Sequence, residues 1–137
     1  DFSDMLEGNV PATGILTIAE HSLRARLAQE KGDMESAITL WTQAAEAQDN
    51  LVYTEPPYWY YPVRQSLGAA YLMNGEPVAA IEAFQAALVK TPNNGWTIHG
   101  LAEAYDRAEQ SEMADALRAH MATTWVGGDD VLVVENL

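Results

Sequence analysis

Three side chains in the last third of the chain have the types and spacing that can bind a divalent metal ion. His99 and Glu103 lie four residues apart, which places them on one face of a helix, and Asp106 lies near them. The other two histidines, His21 and His120, fall in different parts of the chain. A solvated His–Glu pair is therefore the preferred interpretation, and no metal ion or other cofactor is expected.

No catalytic arrangement is found in the rest of the sequence. The chain has no cysteine, no glycine-rich phosphate-binding loop, no Gly-x-Ser-x-Gly and no His-Glu-x-x-His. Asp129 and Asp130 are paired acids, but they follow Gly127 and Gly128 in a tail that is not expected to hold them in a fixed geometry. We therefore expect that the protein is not an enzyme.

The elements that position these residues are helices joined by short turns. Apolar residues recur at steps of three and four from about residue 14, which is helix periodicity. Gly32 and Gly75 are typical of helix ends, while Asp33 and Pro77 are typical of the starts that follow them. A third turn is expected near Ser111. These signals predict six helices in three hairpins.

The predicted organisation has three parts. The capping-box spacing of Thr17 and Glu20 suggests a helix start, unless the helix begins earlier, and Val131–Val134 is the one segment with strand character. The predicted parts are a loosely ordered lead-in (1–13), a helical domain (14–124) with hairpins at about 14–48, 58–90 and 94–124 and an insertion at about 49–61, and a C-terminal tail (125–137).

The hairpins share a repeat of 34 residues, with small and aromatic residues at fixed positions. The equivalent residues are Leu67–Gly68 and Leu101–Ala102, Tyr71 and Tyr105, and Ala80 and Ala114. The middle unit continues with Phe84, Ala87 and Pro92. This pattern closely resembles the tetratricopeptide repeat (TPR) family, and lacks only the early tryptophan, where Arg64 stands. The stretch from Tyr53 to Gly68 is also similar to the C-terminal part of longer bacterial TPR proteins.

The resemblance is weaker in the flanking units. In the third unit Arg118 replaces the phenylalanine and Met121 replaces the last small residue. The first unit keeps the pattern only on its second helix, and 43 residues separate Ala37 from Ala80, nine more than the period. The resemblance implies an all-α, right-handed array of three TPR-like hairpins, an α-solenoid. It also implies a scaffold for protein–protein interaction.

TPR arrays usually bind on the concave face that the first helices of the hairpins form, and the resemblance places candidate partner-binding residues there. These are Arg26, Gln29, Gln65, Ala69, Leu72, Met73, Trp96, His99, Glu103 and Asp106. The basic clamp with which some TPR proteins hold carboxylate tails is missing. The groove therefore suits an apolar or basic peptide better than an acidic one.

The insertion is the most unusual segment. Pro56–Pro57 favours extended backbone, and Tyr58, Trp59, Tyr60 and Tyr61 follow in consecutive positions. These rings form either an aromatic surface for a partner chain, for which Tyr58, Trp59 and Tyr60 are the candidates, or a bridge that pins the inserted residues.

The tail has three possible roles. Its apolar run can bind an edge or groove of another chain, fold back over the last hairpin, or exchange between two copies. The alternative to partner binding is thus a homo-oligomerisation element that uses the insertion or the tail.

Composition excludes two classes of partner. Among 137 residues, 20 are acidic and 7 are basic, for a net charge of −13. The excess of acid argues against nucleic acids and anionic membranes, and most acids are expected on outer helix faces. No apolar run reaches the roughly 20 residues that a transmembrane helix needs. We expect a soluble fragment, cytoplasmic or, if an export signal precedes Asp1, periplasmic.

Overall fold

The computed structural model describes residues 6–7, 10–127 and 132–137. Its secondary structure is almost entirely helical, which confirms the all-α prediction. The contacts divide the chain into two compact units, Asp1–Val63 and Arg64–Leu137. The helices are α1 (Ala12–Glu30) and α2 (Met34–Asp49) in the first unit, and α3 (Val63–Met73, beginning at the last residue of the first unit), α4 (Pro77–Lys90), α5 (Gly95–Arg107) and α6 (Ser111–Thr124) in the second.

The first unit is built on the hairpin of α1 and α2. Gly32 ends α1 with a φ of +76°, a left-handed conformation that glycine adopts without a steric penalty. The Asp33 side chain then accepts a hydrogen bond from the Ser36 amide at 3.1 Å and caps α2. Ile18 of α1 and Trp41 of α2 are buried in this unit.

The structure decides between the two starts that the sequence left open for α1. The helix begins at Ala12, so the earlier start is confirmed and the capping-box role of Thr17 and Glu20 is wrong. Thr17 lies inside the helix and donates its hydroxyl to the Thr13 carbonyl at 2.8 Å. Glu20 pairs with Arg24, one turn further on, at 3.0 Å.

The second unit begins with the pair α3 and α4 and continues with α5 and α6. Gly75 takes a φ of +79° at the end of α3, and Pro77 occupies the first turn of α4, as the sequence predicts. The Asn94 side chain caps α5 by accepting from the amides of Trp96 and Thr97 at 3.1 and 3.3 Å.

The core of the second unit is centred on Phe84 of α4, which is fully buried. Atoms of its ring lie 2.8 Å from the position that a Cβ on Gly68 of α3 would take, and 2.4 Å from the position for Gly100 of α5. Glycine at these two points therefore leaves the space that the ring fills between α3 and α5.

Outside the six α-helices, the described residues at the two ends of the chain form two short strands and one turn of 3-10 helix. In the predicted lead-in, β1 (Leu6–Glu7) and β2 (Val10–Pro11) pair antiparallel over two residues. The strand prediction for the tail is wrong for its described part, because Val134–Asn136 form one turn of 3-10 helix. Residues 1–5, 8–9 and 128–131 lie outside the described residues, and with them Val131 and the paired acids Asp129 and Asp130.

The tail tip, residues 132–137, folds back on the second unit. Leu132 packs with Ile98 of α5 and Met121 of α6, while Val134 and Leu137 belong to the cluster around Phe84. Of the roles that the sequence left open, the described residues adopt the fold-back over the last pair of helices.

Candidate functional site

Two of the candidate residues lie in the first unit, and both contact Trp41. The Gln29 Oε1 atom accepts a hydrogen bond from the Trp41 indole N–H at 2.8 Å. The Arg26 guanidinium lies over the Trp41 ring, 5.2 Å from its centroid, a distance typical of a cation–π contact. Both side chains are half-buried. In this conformation they hold α1 against α2.

Gln65 and Leu72 of α3 lie inside the second unit. Gln65 is only 5% exposed, and its Oε1 atom accepts from Thr97 Oγ1 at 2.8 Å and from Asn94 Nδ2 at 3.1 Å. Leu72 is fully buried, and its carbonyl accepts from Arg107 Nη1 at 3.0 Å. These contacts join α3 to α5, so both residues stabilise the unit and neither side chain faces solvent.

Met73 and Trp96 are more accessible. Met73 is exposed at the end of α3. Trp96 at the start of α5 is half-buried and packs edge-to-face against Trp125, with ring centroids 6.0 Å apart. The Trp125 ring also covers Gly95, where a Cβ would lie 2.3 Å from it. Trp96 therefore offers a partner only part of its ring.

The acids of the candidate groove are paired within the chain. Arg118 of α6 contacts Glu103 at 3.1 Å and also pairs with Asp106 and, at 3.7 Å, with Asp115. Across the described ranges, no three His, Asp or Glu side chains come close enough to hold a metal ion. One arginine faces three carboxylates, so the ion-pair network as a whole stays negative.

The pKa of His99 is shifted by this environment. Its ring is half-buried, and burial lowers the pKa of the imidazole below its usual 6.5 because the charged form loses hydration. The negative charge of Glu103 opposes this shift, and the positive charge of Arg118 adds to it.

Acidification is expected to destabilise the protein through His99. Because the folded-state pKa lies below 6.5, the unfolded chain binds the proton more readily, and the free energy of unfolding decreases as the pH falls through about 6.5 toward the folded-state pKa. His99→Gln should reduce this pH dependence. Urea denaturation at about pH 7.5 and about pH 5.5 measures it. His120→Gln, at an exposed position of α6, is the matched control, and an equal pH dependence in both variants would contradict the prediction.

The aromatic insertion is fixed through its backbone in the first unit. Gln48 at the end of α2 donates its Nε2 to the Tyr61 carbonyl at 2.8 Å, and more weakly to the Trp59 carbonyl at 3.5 Å. Its Oε1 accepts from the Val63 amide at 3.0 Å. One amide side chain thus holds the last part of the segment in place, a role that no sequence pattern indicated.

The rings of this segment differ in exposure. Tyr58 and Trp59 are half-buried, whereas Tyr60 is 87% exposed and Tyr53, at the start of the segment, is 81% exposed. Both rings point into solvent, and Tyr60 does so from the part of the backbone that Gln48 anchors. Tyr53 was not among the sequence candidates, although it precedes the two prolines.

Ser66 of α3 is a further residue that the sequence did not single out. Its hydroxyl donates to the main-chain oxygen of Leu137 at 3.0 Å. The Leu137 side chain lies 2.8 Å from the position for a Cβ on Gly100 of α5. Ser66 and Gly100 are 34 residues apart, so the repeat places two small residues at the same helix position. This spacing was the sequence signal that could have identified Ser66.

The chain was compared with protein-family models and with curated proteins. No protein-family model matches the chain. No curated protein matches it significantly. Among the described helices, none combines the length and apolarity needed to cross a membrane.

Proposed function

We propose that this chain is a protein-interaction module, an array of three TPR-like hairpins that binds a peptide or protein partner and catalyses no reaction. The observation that best supports the proposal is the exposure of Tyr60 on the part of the insertion that Gln48 anchors. Aromatic rings are enriched in protein interfaces because they bury a large area at a small cost in conformational entropy. An anchored backbone reduces that cost further.

The repeat supports the TPR-like part of the proposal. Phe84 packs between two helices at positions where glycine leaves room, which is the packing that the repeat signature requires. The residue 34 positions later is Arg118, on the last α-helix. A charged residue there fits a terminal repeat, whose outer face meets solvent.

The proposed partner is apolar with a neutral or basic surround. The net charge of −13 repels acidic partners. Glu35, Glu46, Glu82, Glu109 and Glu112 are all exposed, as the sequence predicted. The candidate acids Glu103 and Asp106 are already paired with Arg118, so the aromatic rings are the more available binding groups.

Replacing Tyr60 by alanine is expected to weaken partner binding by about tenfold or more, because an interface tyrosine that acts as a hot spot contributes about 2 kcal/mol or more. The full chain immobilised as bait, with captured proteins quantified by mass spectrometry, measures the effect. Tyr60 is 87% exposed, so the variant should keep its fold.

The control is Val89→Ala on α4, because Val89 is 81% exposed and also apolar. It should retain the captured partners. The same partners at the same levels on both variants would reject the aromatic surface.

The alternative is homo-oligomerisation through the aromatic segment or the tail. The tail tip packs on the second unit, and Val126, which precedes it, is fully exposed. This arrangement favours the alternative, because a segment that follows an exposed connection can exchange between copies. Light scattering over a range of concentrations separates the two functions. A monomer at all concentrations supports partner binding, and a concentration-dependent dimer supports the alternative.

A further inference from the structure

The tail tip has the conformation of a docked ligand. Leu132, Val134 and Leu137 are buried, whereas Val133, Glu135 and Asn136 are exposed. Val133 is extended, with φ of −125° and ψ of 143°, so neighbouring side chains point to opposite sides. The 3-10 turn then returns Leu137 to the buried side. The buried side chains are thus apolar and occupy the first, third and sixth positions of the segment.

The binding surface for Leu137 lies between two equivalent positions of the repeat. Ser66 of α3 binds its main-chain oxygen at 3.0 Å, and Gly100 of α5 leaves room for its side chain. We call the surface marked by these two residues the α3–α5 face. The apolar wall is supplied by Phe84, which also contacts the Gly100 position.

The tail tip makes its local backbone hydrogen bonds within itself. The Asn136 amide donates to the Val133 carbonyl and the Leu137 amide to the Val134 carbonyl, both at 3.1 Å. These bonds move with the segment when it leaves the surface. Release therefore exposes three apolar side chains without opening a helix.

We propose that the tail tip is an internal ligand of the α3–α5 face, and that the partner segment which displaces it is an extended apolar peptide with the same first, third and sixth spacing. This rests on the proposed interaction function. The surface selects such a segment because Gly100 admits a branched apolar side chain, and because the hydroxyl of Ser66 satisfies one main-chain oxygen.

A covalently linked ligand competes with a free one at its effective concentration, which is of millimolar order for a short linker. A labelled, amidated peptide of residues 130–137 should therefore bind the unaltered full chain weakly, with an apparent Kd of about 1 mM or above. Leu137→Glu should release the tail tip, because it places a charge in a buried apolar site. This variant should bind the peptide at least about tenfold more tightly, as measured by fluorescence anisotropy.

The matched control is Val133→Glu, which introduces the same charge at an exposed position of the same segment. It should bind the peptide as weakly as the unaltered chain. Equal binding by the two variants, with Leu137→Glu still folded by circular dichroism, would overturn the inference.

A second measurement needs no variant. Amide NMR of the unaltered chain with several millimolar unlabelled peptide should move the Leu137 signal to its unbound position while the α5 signals stay dispersed. An unchanged Leu137 signal would overturn the inference even if Leu137→Glu fails to fold. A concentration-dependent dimer would also overturn it, because the occupant would then be the tail of a second copy. The Tyr60 experiment probes the first unit, so its failure rejects the aromatic surface alone.

Discussion

Replacing Phe84 by alanine is expected to lower the free energy of unfolding by about 3–5 kcal/mol, the range for a fully buried phenylalanine. The ring is completely buried and fills the space that Gly68 and Gly100 leave between α3 and α5. Neither glycine has a side chain that could move into the cavity. The surroundings can therefore relax little, which places the expected loss toward the upper end. Urea denaturation followed by far-UV circular dichroism measures it.

The control for Phe84 is Arg118→Ala, at the equivalent position 34 residues later. Arg118 pairs with Glu103 and Asp106 but is exposed, and an exposed ion pair contributes about 1 kcal/mol or less. A similar loss in the two variants would mean that Phe84 is not the centre of this core. A loss below about 1 kcal/mol for Phe84→Ala would mean the same.

The helices were predictable because their ends are set by local chemistry. Gly32 and Gly75 take the left-handed conformation that their residue type favours, and Asp33 and Pro77 start the next helices. Each signal depends on a few neighbouring residues, so no tertiary information is needed. Thr17 shows the limit of such signals, because it has the spacing of a cap but bonds to Thr13 within the helix.

The environment of the candidate binding residues was not predictable in the same way. Alignment to a repeat gives a position on a helix, but it does not reveal which neighbours supply hydrogen bonds. Gln65 can be buried because Asn94 and Thr97 both donate hydrogen bonds to its side-chain oxygen. The contact between Ser66 and Leu137 joins residues 71 positions apart, and no local pattern relates them.

The replacement of Phe84 by Arg118 in the next repeat changes what the surface can do. Phe84 is covered by α5, whereas Arg118 lies exposed on α6 and pairs with acids of α5. An apolar ring at Arg118 would leave an exposed apolar patch, which favours association. The arginine instead makes this end of the second unit polar. The exposed apolar groups available to a partner are then fewer, which supports the proposal that Tyr60 is the primary contact.

Replacing Trp41 by alanine is expected to lower the free energy of unfolding by about 3–5 kcal/mol. The side chain is 1% exposed and is the largest buried group that joins α1 and α2. Its loss also removes the hydrogen bond to Gln29 and the cation–π contact with Arg26. Trp41→Phe keeps most of the ring and should cost less, because it removes mainly the indole N–H bond, worth about 1 kcal/mol. Chemical denaturation followed by far-UV circular dichroism measures both.

A double-mutant cycle tests whether Arg26 acts through the Trp41 ring. If it does, Arg26→Ala should cost about 0.5–1 kcal/mol more in the unaltered chain than in the Trp41→Ala background. An equal cost in both backgrounds would contradict the contact with the ring. A variant that loses its partner but costs no stability would return Arg26 to the binding surface, because a residue used only for packing cannot weaken binding without weakening the fold.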